Sequence, residues 1–271
     1  TVMEEDCDGM CWKYLIEEEN LKPDFVVSTE PTSCRIYRGH RGRLEMEVYF
    51  TGVSAHGSAP ERGDNAIYRA SETALRVRQL HERLATDDFL GKGSVAVTQV
   101  RSDSPSLCAI PDRCAIHLDR RLTWGETRES SHAELEAIAD DKTSIELPLY
   151  DRPSYRGTIF GQEKYYPTWV LDEGHPLVQG VVAATAEVLG ETPSISRWSF
   201  STNGVATMGL FDIPTVGFAP GREELAHTTE ERVSVDDLIK ATAVYSVIPE
   251  FLIKKSAANT KTQRHEGNHK G

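Results

Sequence analysis

The sequence predicts an α/β fold that is interrupted by an α+β insert of ferredoxin-like arrangement. The first observation is a short helix and a buried-type strand within residues 1–38. The second is the order strand, helix, strand, strand, helix, strand over residues 39–157, which is the split βαβ pattern. The third is the return of helices and apolar strands over residues 158–253, whereas the polar, aperiodic residues 254–271 predict a disordered tail.

The first segment contains one helix and one strand. Trp12 and Ile16 recur at helical spacing, and Pro23 ends this short amphipathic helix. The apolar residues 25–27 then predict a core strand, and Glu30 lies just past its end. Because ligands of open α/β sheets bind beyond the carboxyl ends of strands, Glu30 is a candidate site residue.

In the insert, stretches with the apolar spacing of a strand alternate with stretches that have the apolar spacing of a helix. Residues 42–52 alternate apolar and polar side chains, which is typical of a strand with one face in water. A Gly/Ser/Pro loop follows, and then a long helix begins at about Asn65. Residues 93–100 and 114–122 predict two further strands, and a second amphipathic helix with a strand at 144–150 completes the order.

After the insert the pattern becomes α/β again. Residues 174–190 predict a helix that ends at Gly190. The apolar run at 213–218 predicts a core strand followed by a glycine-rich turn. A last helix is expected after Ser234, which serves as its N-cap ahead of an acidic first turn.

Composition limits the classes of partner. The 271 residues are 39% hydrophobic and 27% charged, which suffices for one large domain or two modest ones. The formal net charge of -12 argues against nucleic acid and against anionic membranes as partners. No apolar run reaches the ~20 residues that cross a bilayer. The five cysteines, an odd number without a CxxC motif, favour a reduced, cytoplasmic setting.

Four places could carry chemistry, and each also has a structural interpretation. Glu4 and Glu5 are adjacent carboxylates, so one could bind a metal while its neighbour handles a proton, although such a pair is also a common surface turn. Glu30 could equally be an exposed loop acid. His227 follows a core strand, and His56 lies in a loop of the insert, where a histidine can simply cap a neighbour.

Together these residue types favour metal-assisted hydrolysis. Zinc binds carboxylate oxygen and imidazole nitrogen, and an unligated glutamate nearby can take a proton from the attacking water. The sequence has no GxSxG motif, no P-loop and no GxGxxG after a strand. Serine hydrolases and nucleotide-binding enzymes are therefore weaker interpretations.

Several stretches resemble one known family at length and in order. They are TVMEEDCDG, FVVSTEPT, GVSAHGSAPERGDNAIY, CAIHLDRRLTWGET, DRPSY, SFSTNGV and IPTVGFAPG. Together they resemble the M20-type zinc hydrolases, a group of metallopeptidases and deacylases, and within it the selenium-metabolism-linked hydrolases. The resemblance runs from Thr1 to about Leu252. It implies a zinc-peptidase-like α/β catalytic domain over 1–38 and 158–253, and a lid or dimerisation domain over 39–157.

The resemblance also implies roles for single residues. Glu4 matches the general base, and His56 matches a histidine that reaches the partner subunit's active site and stabilises the oxyanion. The implied metal ligands are Glu5, Glu30 and His227. The implied substrate contacts are Arg121, Asn203 and Gly221. Two zinc ions per subunit are expected, although the oxygen-rich ligand set is also compatible with Co²⁺ or Mn²⁺.

One part of the family pattern does not occur in this sequence. In the resembled family, a segment before the acid pair supplies a His-x-Asp ligand motif and an aspartate that bridges the two metals. No HxD occurs before Glu30. We therefore expect this chain to be the C-terminal part of a longer protein, with a catalytic domain incomplete at its N-terminus and no activity by itself.

The leading expectation is hydrolysis of amide-type C–N bonds in a peptide-like or small-molecule substrate, by a homodimer formed through the lid. Family relatives cut peptides, N-acyl amino acids, carbamoyl compounds and succinylated intermediates. The alternative is a catalytically incomplete fragment that acts at most as a dimerisation or interaction module. A third interpretation is a single-metal enzyme that uses Glu5, His227 and water.

Overall fold

The computed structural model describes residues 7–104 and 106–266, with side chains described as far as Ile253. Two compact units are present. One joins Tyr14 and the described residues before it to Arg41–Thr168, and we call it the lid unit. The other joins Leu15–His40 to the described residues from Trp169 onward, and we call it the α/β unit. The domain boundaries at residues 38 and 157 stay a prediction.

Helices account for much of both units. The described α-helices are α1 (Met10–Glu17), α2 (Ala66–Arg83), α3 (Arg128–Glu136), α4 (Pro176–Leu189) and α5 (Val235–Glu266). Short 3₁₀ turns occupy Pro60–Arg62 and Glu223–Leu225, and a π-helical segment occupies Val205–Leu210. None of the described helices combines the length and apolar character that a membrane span requires.

The strands are mostly short. They are β1 (Val26–Ser28), β2 (Ile36–His40), β3 (Gly42–Thr51), β4 (Ala55–His56), β5 (Thr86–Asp87), β6 (Gly91–Lys92), β7 (Ser94–Asp103), β8 (Ala109–Ile110), β9 (Arg113–Leu122), β10 (Thr143–Glu146), β11 (Leu149–Tyr150), β12 (Gln162–Glu163), β13 (Tyr165–Tyr166), β14 (Trp169–Val170), β15 (Ile195–Trp198) and β16 (Thr215–Gly217).

The lid unit has the ferredoxin-like arrangement that the sequence predicts. Its sheet has the order β10-β3-β9-β7, all antiparallel, and β13 pairs with β3 beside β10. The alternating residues Leu44, Met46, Val48 and Phe50 of β3 are all buried in one core cluster. Helix α2 buries one stripe in the same cluster, and its N-cap Asn65 accepts the Ile67 N–H at 2.9 Å.

The α/β unit contains a mixed sheet of order β1-β16-β2-β14, with β15 also paired to β2. Strands β1 and β16 are parallel neighbours. The core cluster beneath this sheet includes Ile36, Val181, Trp198 and Val244. Helix α4 ends as predicted, because Gly190 adopts the left-handed conformation at φ 75°.

The last helix begins as predicted but extends further. Ser234 Oγ accepts the Asp237 N–H at 3.0 Å, which caps the first turn of α5. The helix then continues to Glu266, whereas the sequence predicted disorder from residue 254. Residues 254–266 contain no glycine or proline, and about half of them are Lys, Ala, Gln or Arg, which favour helix. The end of the predicted tail, residues 267–271, lies outside the described part.

Candidate active site

The candidate site lies in the α/β unit, beyond the carboxyl ends of β1 and β16. These strands are parallel and in register, with Val27 opposite Val216 and Ser28 opposite Gly217. Three loops meet at this edge: loop A (residues 29–34), loop B (residues 199–204) and loop C (residues 219–231). The carboxyl edge of parallel strands is where α/β proteins place their ligands.

Loops A and C are joined by backbone hydrogen bonds. Ser33 N–H donates to Gly221 O at 2.7 Å, and Cys34 N–H donates to Ala219 O at 2.8 Å. The buried Thr32 hydroxyl donates to Ala219 O at 3.0 Å and accepts the Ala219 N–H at 2.9 Å. These bonds hold the acid-bearing loop A against the glycine-rich start of loop C.

Loop B is joined to both of the others. The Ser199 N–H and hydroxyl donate to the same Glu223 oxygen at 3.0 and 2.6 Å. Trp198, the last residue of β15, donates its indole N–H to Pro31 O at 3.1 Å. The Glu223 carboxylate therefore links loop C to loop B, and the buried Trp198 indole links the end of β15 to loop A.

Four of the predicted site residues lie on these loops. Glu30 is half-buried in loop A, and Asn203 is half-buried in loop B. Gly221 and the exposed His227 both lie in loop C. Residues that are far apart in the chain are thus carried by loops that contact one another, although their roles stay predictions.

Two of these residues have a left-handed backbone. Gly221 has φ 85°, and a β-carbon added there would lie 3.7 Å from the nearest atom, so backbone conformation rather than space favours glycine. His227 has φ 61°, a costly conformation for most side chains, and its N–H donates to the Glu231 carboxylate at 2.9 Å. Such strain concentrates at functional sites, which supports a role for this turn.

A cleft of about 420 Å³ opens beside these loops. Its lining includes Thr29 and Pro31, the two neighbours of Glu30 in loop A. Loop C contributes Gly221, Arg222 and Glu231, while α5 supplies the opposite wall. The size suits part of a small substrate.

The described residues do not by themselves form a metal site. Glu30 and His227 offer the carboxylate and imidazole donors that zinc prefers. Among the residues with described placement, no group of three or more His, Cys, Asp or Glu side chains is arranged to hold a metal ion. Glu4 and Glu5, the predicted base and the predicted third ligand, lie outside the described residues.

His56 lies in the lid unit, in a two-stranded ribbon formed by β4 and β8. Its Nδ1 accepts the Ser58 N–H at 3.1 Å and lies 2.8 Å from the Ser58 hydroxyl. Because Nδ1 accepts an N–H, the neutral ring carries its proton on Nε2. The exposed ring can therefore donate a hydrogen bond through Nε2. Its Nδ1 caps the neighbouring Ser58, which is the structural alternative that the sequence left open for His56.

Arg121 is held by a neighbour on the same strand. Its Nε and Nη2 donate to the two Asp119 oxygens at 2.7 and 2.9 Å, and the Arg121 side chain is 30% exposed. This fork-to-fork pair fixes the guanidinium plane. The contact of Arg121 with a substrate stays a prediction.

A polar network surrounds the buried Tyr37, and the sequence did not predict it. Arg35 Nη2 donates to the Tyr37 hydroxyl at 2.8 Å. Burial, followed by the charge of Glu223 and a hydrogen bond to it, raises the pKa of Tyr37. The acidic pair Glu223–Glu224 after the glycine-rich turn was a visible sequence signal for this network. The short strand β2, which carries Tyr37, was not predicted.

Comparison with known proteins agrees with the predicted resemblance. Residues 38–145 match the family of M20 peptidase dimerisation domains. The protein YgeY of Escherichia coli strain K12 is 47% identical over 252 residues, covering 92% of this chain and 62% of YgeY. Succinyl-diaminopimelate desuccinylase of Magnetococcus marinus is 27% identical, covering 88% of this chain and 60% of the enzyme. The chain thus spans less than two thirds of these relatives.

Solved structures share the fold. The aminopeptidase PepT of Bacillus cereus superimposes with a TM-score of 0.67 and 19% identity, covering 90% of this chain and 61% of PepT. The fold of this chain, an α/β unit interrupted by a ferredoxin-like lid unit, is therefore shared with these solved structures. The chain resembles the M20 peptidases and deacylases, and residues 38–145 match their dimerisation domain.

Proposed function

We propose that this chain forms part or all of a metal-dependent hydrolase of amide-type C–N bonds. The observation that carries the proposal is the convergence of loops A, B and C beyond β1 and β16, because these loops carry four of the residues that the family resemblance singles out. The named relatives support the bond type, since a desuccinylase and an aminopeptidase both cleave amide bonds. The proposed substrate is peptide-like or an N-acyl amino acid.

The proposed metal ligands are Glu5, Glu30 and His227, and zinc is the proposed metal. A bound zinc supplies an activated water and polarises the substrate carbonyl. Since the described residues do not complete a metal site, no step of the reaction is derived through the ion. Glu4 is proposed to take the proton of the attacking water and to pass it to the leaving amine.

Other residues are proposed to bind the substrate and its developing charge. The Nε2–H of His56, in the partner subunit, donates to the oxyanion. Asn203 and Gly221 contact the substrate from loops B and C, and Arg121 offers a positive charge to an anionic group. Preorganised donors of this kind stabilise the transition state because they need no reorientation when charge develops.

The proposal also includes a homodimeric assembly and a cytoplasmic location. A homodimer formed through the lid would bring His56 to the second site, and the match to a dimerisation domain supports it. Sedimentation velocity of the purified protein tests this, with a dimer mass expected. All five cysteines are free thiols, which supports a reducing, cytoplasmic setting.

The test of the activity is a substrate panel with a chemical control. The enzyme that contains this chain is incubated with Zn²⁺ and assayed against N-acetyl, N-succinyl and N-carbamoyl amino acids and against di- and tripeptides. Amine release that depends on Zn²⁺, and that a chelator abolishes, is expected for one of these classes. No release from any class with saturating Zn²⁺, Co²⁺ or Mn²⁺ would argue against catalysis.

One observation favours a second candidate function. Residues 38–145 match a peptidase dimerisation domain, whose association with a second copy requires no chemistry. The chain could then act as an interaction module through its lid, without chemistry of its own. A stable dimer without bound metal or activity is the result that this candidate expects.

A further inference from the structure

One fully buried titratable side chain has no part in the proposed reaction. His40 is the last residue of β2 and is 0% exposed. Its backbone lies between two partner strands, opposite Trp169 on one side and Trp198 on the other. Burial of an imidazole in an apolar core is unfavourable unless its polar atoms are satisfied.

The ring of His40 is directed to loop B. Its Nδ1 accepts the Thr202 N–H at 2.9 Å and lies 3.1 Å from the Thr202 hydroxyl. Because a backbone N–H can only donate, Nδ1 carries no proton in this arrangement, and the neutral ring is protonated on Nε2. The Thr202 hydroxyl can then donate to the same nitrogen.

The hydrogen bonds continue to the other side of Asn203. The Thr202 hydroxyl oxygen accepts the Gly204 N–H at 3.1 Å. Gly204 lies against the indole of Trp169, where an added β-carbon would come within 2.6 Å of the ring. The same indole contacts the His40 ring, with centroids 5.3 Å apart. Both neighbours of Asn203 are therefore fixed by the same buried cluster.

We infer that His40 is a positioning residue of the site. Its Nδ1 holds the Thr202–Gly204 turn and thereby fixes the direction in which Asn203 meets the substrate. The inference rests on the proposed function, in which Asn203 contacts the substrate. A leucine would serve packing alone at lower cost, so the need for an acceptor at this point explains a histidine.

Two substitutions separate this role from packing. His40→Leu removes the acceptor, whereas His40→Asn places an amide oxygen near the position of Nδ1. Thr185→Ala is the matched control, because Thr185 is equally buried in the same unit but bonds only within α4, to Val181 O at 2.8 Å. Amide hydrogen exchange at Thr202 and Gly204, measured by NMR, reports on the turn without requiring activity.

We expect His40→Leu to speed exchange at Thr202 and Gly204 by about tenfold or more, the factor that one hydrogen bond typically contributes. His40→Asn should restore rates close to wild type, and Thr185→Ala should affect α4 alone. In the active enzyme, KM should rise about tenfold in His40→Leu while kcat changes little, because Asn203 binds substrate and transition state alike.

Three results would overturn the inference. They are unchanged exchange at Thr202 in His40→Leu, equal acceleration in His40→Leu and His40→Asn, and a normal KM despite a loosened turn. If the wild type hydrolyses no amide, the proposed function fails, and the link to substrate fails with it. The exchange rates still test whether His40 holds the Thr202–Gly204 turn, since these rates do not depend on turnover.

Discussion

Ser199 donates its backbone N–H and its hydroxyl to one oxygen of the Glu223 carboxylate, at 3.0 and 2.6 Å. Glu223 also lies near the buried Tyr37, whose pKa is raised by burial and then by this carboxylate. One acid therefore joins loop B, loop C and strand β2. Since Asn203 and His227 lie on these two loops, Glu223 is expected to set their relative position.

Removal of this acid should loosen the site more than it unfolds the protein. Glu223→Ala is expected to lower the free energy of unfolding by about 1–2 kcal/mol, because two hydrogen bonds to a charged group are lost. It should also raise KM for an amide substrate. Urea titration and steady-state kinetics measure the two effects. Glu224→Ala is the control, since the Glu224 carboxylate forms its ion pair with the exposed Arg222 of the same loop, and equal effects of both substitutions would contradict this role of Glu223.

The proposed oxyanion donor predicts a kinetic signature. In the enzyme containing this chain, His56→Ala should reduce kcat by about 10²–10³ with little change in KM, as for other oxyanion donors. Ser58→Ala should retain most activity, because the Ser58 backbone N–H still orders Nδ1. Steady-state kinetics of the three proteins decide the point, and an unchanged kcat in His56→Ala would rule out the role.

His175 predicts a pH-dependent stability of the α/β unit. Its Nδ1 caps α4 by accepting the Leu177 N–H at 3.1 Å, and burial lowers the pKa of His175. The folded state thus favours the neutral ring, so this contribution to stability is complete above the ordinary pKa of about 6.5 and is lost as pH falls below it. Urea titrations at pH 7.5, 6 and 5 should show the loss.

His175→Asn keeps a capping oxygen but does not titrate near neutral pH. The variant should therefore lose less stability than wild type between pH 7.5 and 5. His132→Asn, in helix α3 of the lid unit, is the control and should behave as wild type does. If wild type and His175→Asn show the same dependence on pH, the proposed titration is wrong.

The contacts of Asp64 predict that the stability of the lid unit also depends on pH, in the acidic range. Arg69 donates to both Asp64 oxygens, at 2.9 and 2.7 Å, and Lys142 donates at 2.9 Å. These hydrogen bonds lower the pKa of Asp64 to about 2, and the hydrogen bond from Arg69 has the largest effect. A lowered carboxyl pKa means stabilisation that is complete above the ordinary pKa and is lost as pH falls toward 2.

Thermal unfolding of wild type and Asp64→Asn should thus differ most at pH 5, and the difference should narrow by pH 2.5. Asp141→Asn changes the charge equally at an exposed neighbouring position and should give a small, constant difference. A gap between wild type and Asp64→Asn that does not change with pH would show that the carboxylate is not the source of the stabilisation.

The lid could be predicted closely because its signals are local. The alternation of Leu44, Met46, Val48 and Phe50 defines one buried face, and Asn65 marks the start of α2. A long strand and a long amphipathic helix each repeat their period often enough to be recognised. The order of these elements then left one arrangement, which the sheet order confirms.

The α/β unit was harder to predict from the sequence because its strands are short and pair with strands that are distant in the chain. Strand β2 contains Arg38 and Gly39, and β14 has two residues, so neither shows a period. The contacts of His40 with Thr202 and of Ser199 with Glu223 join residues that no spacing rule connects. Loops A, B and C could be singled out from sequence, but the side chains that fasten them could not.

The central claim is that Glu30 and His227 bind the metal of an amide hydrolase. In the enzyme that contains this chain, zinc per subunit is measured by elemental analysis after loading with Zn²⁺ and gel filtration. Wild type should retain zinc, Glu30→Ala and His227→Ala should each lose most of it, and His132→Ala should match wild type. Equal zinc in all four proteins, or none in wild type, would contradict the claim, and the second result would favour an interaction module.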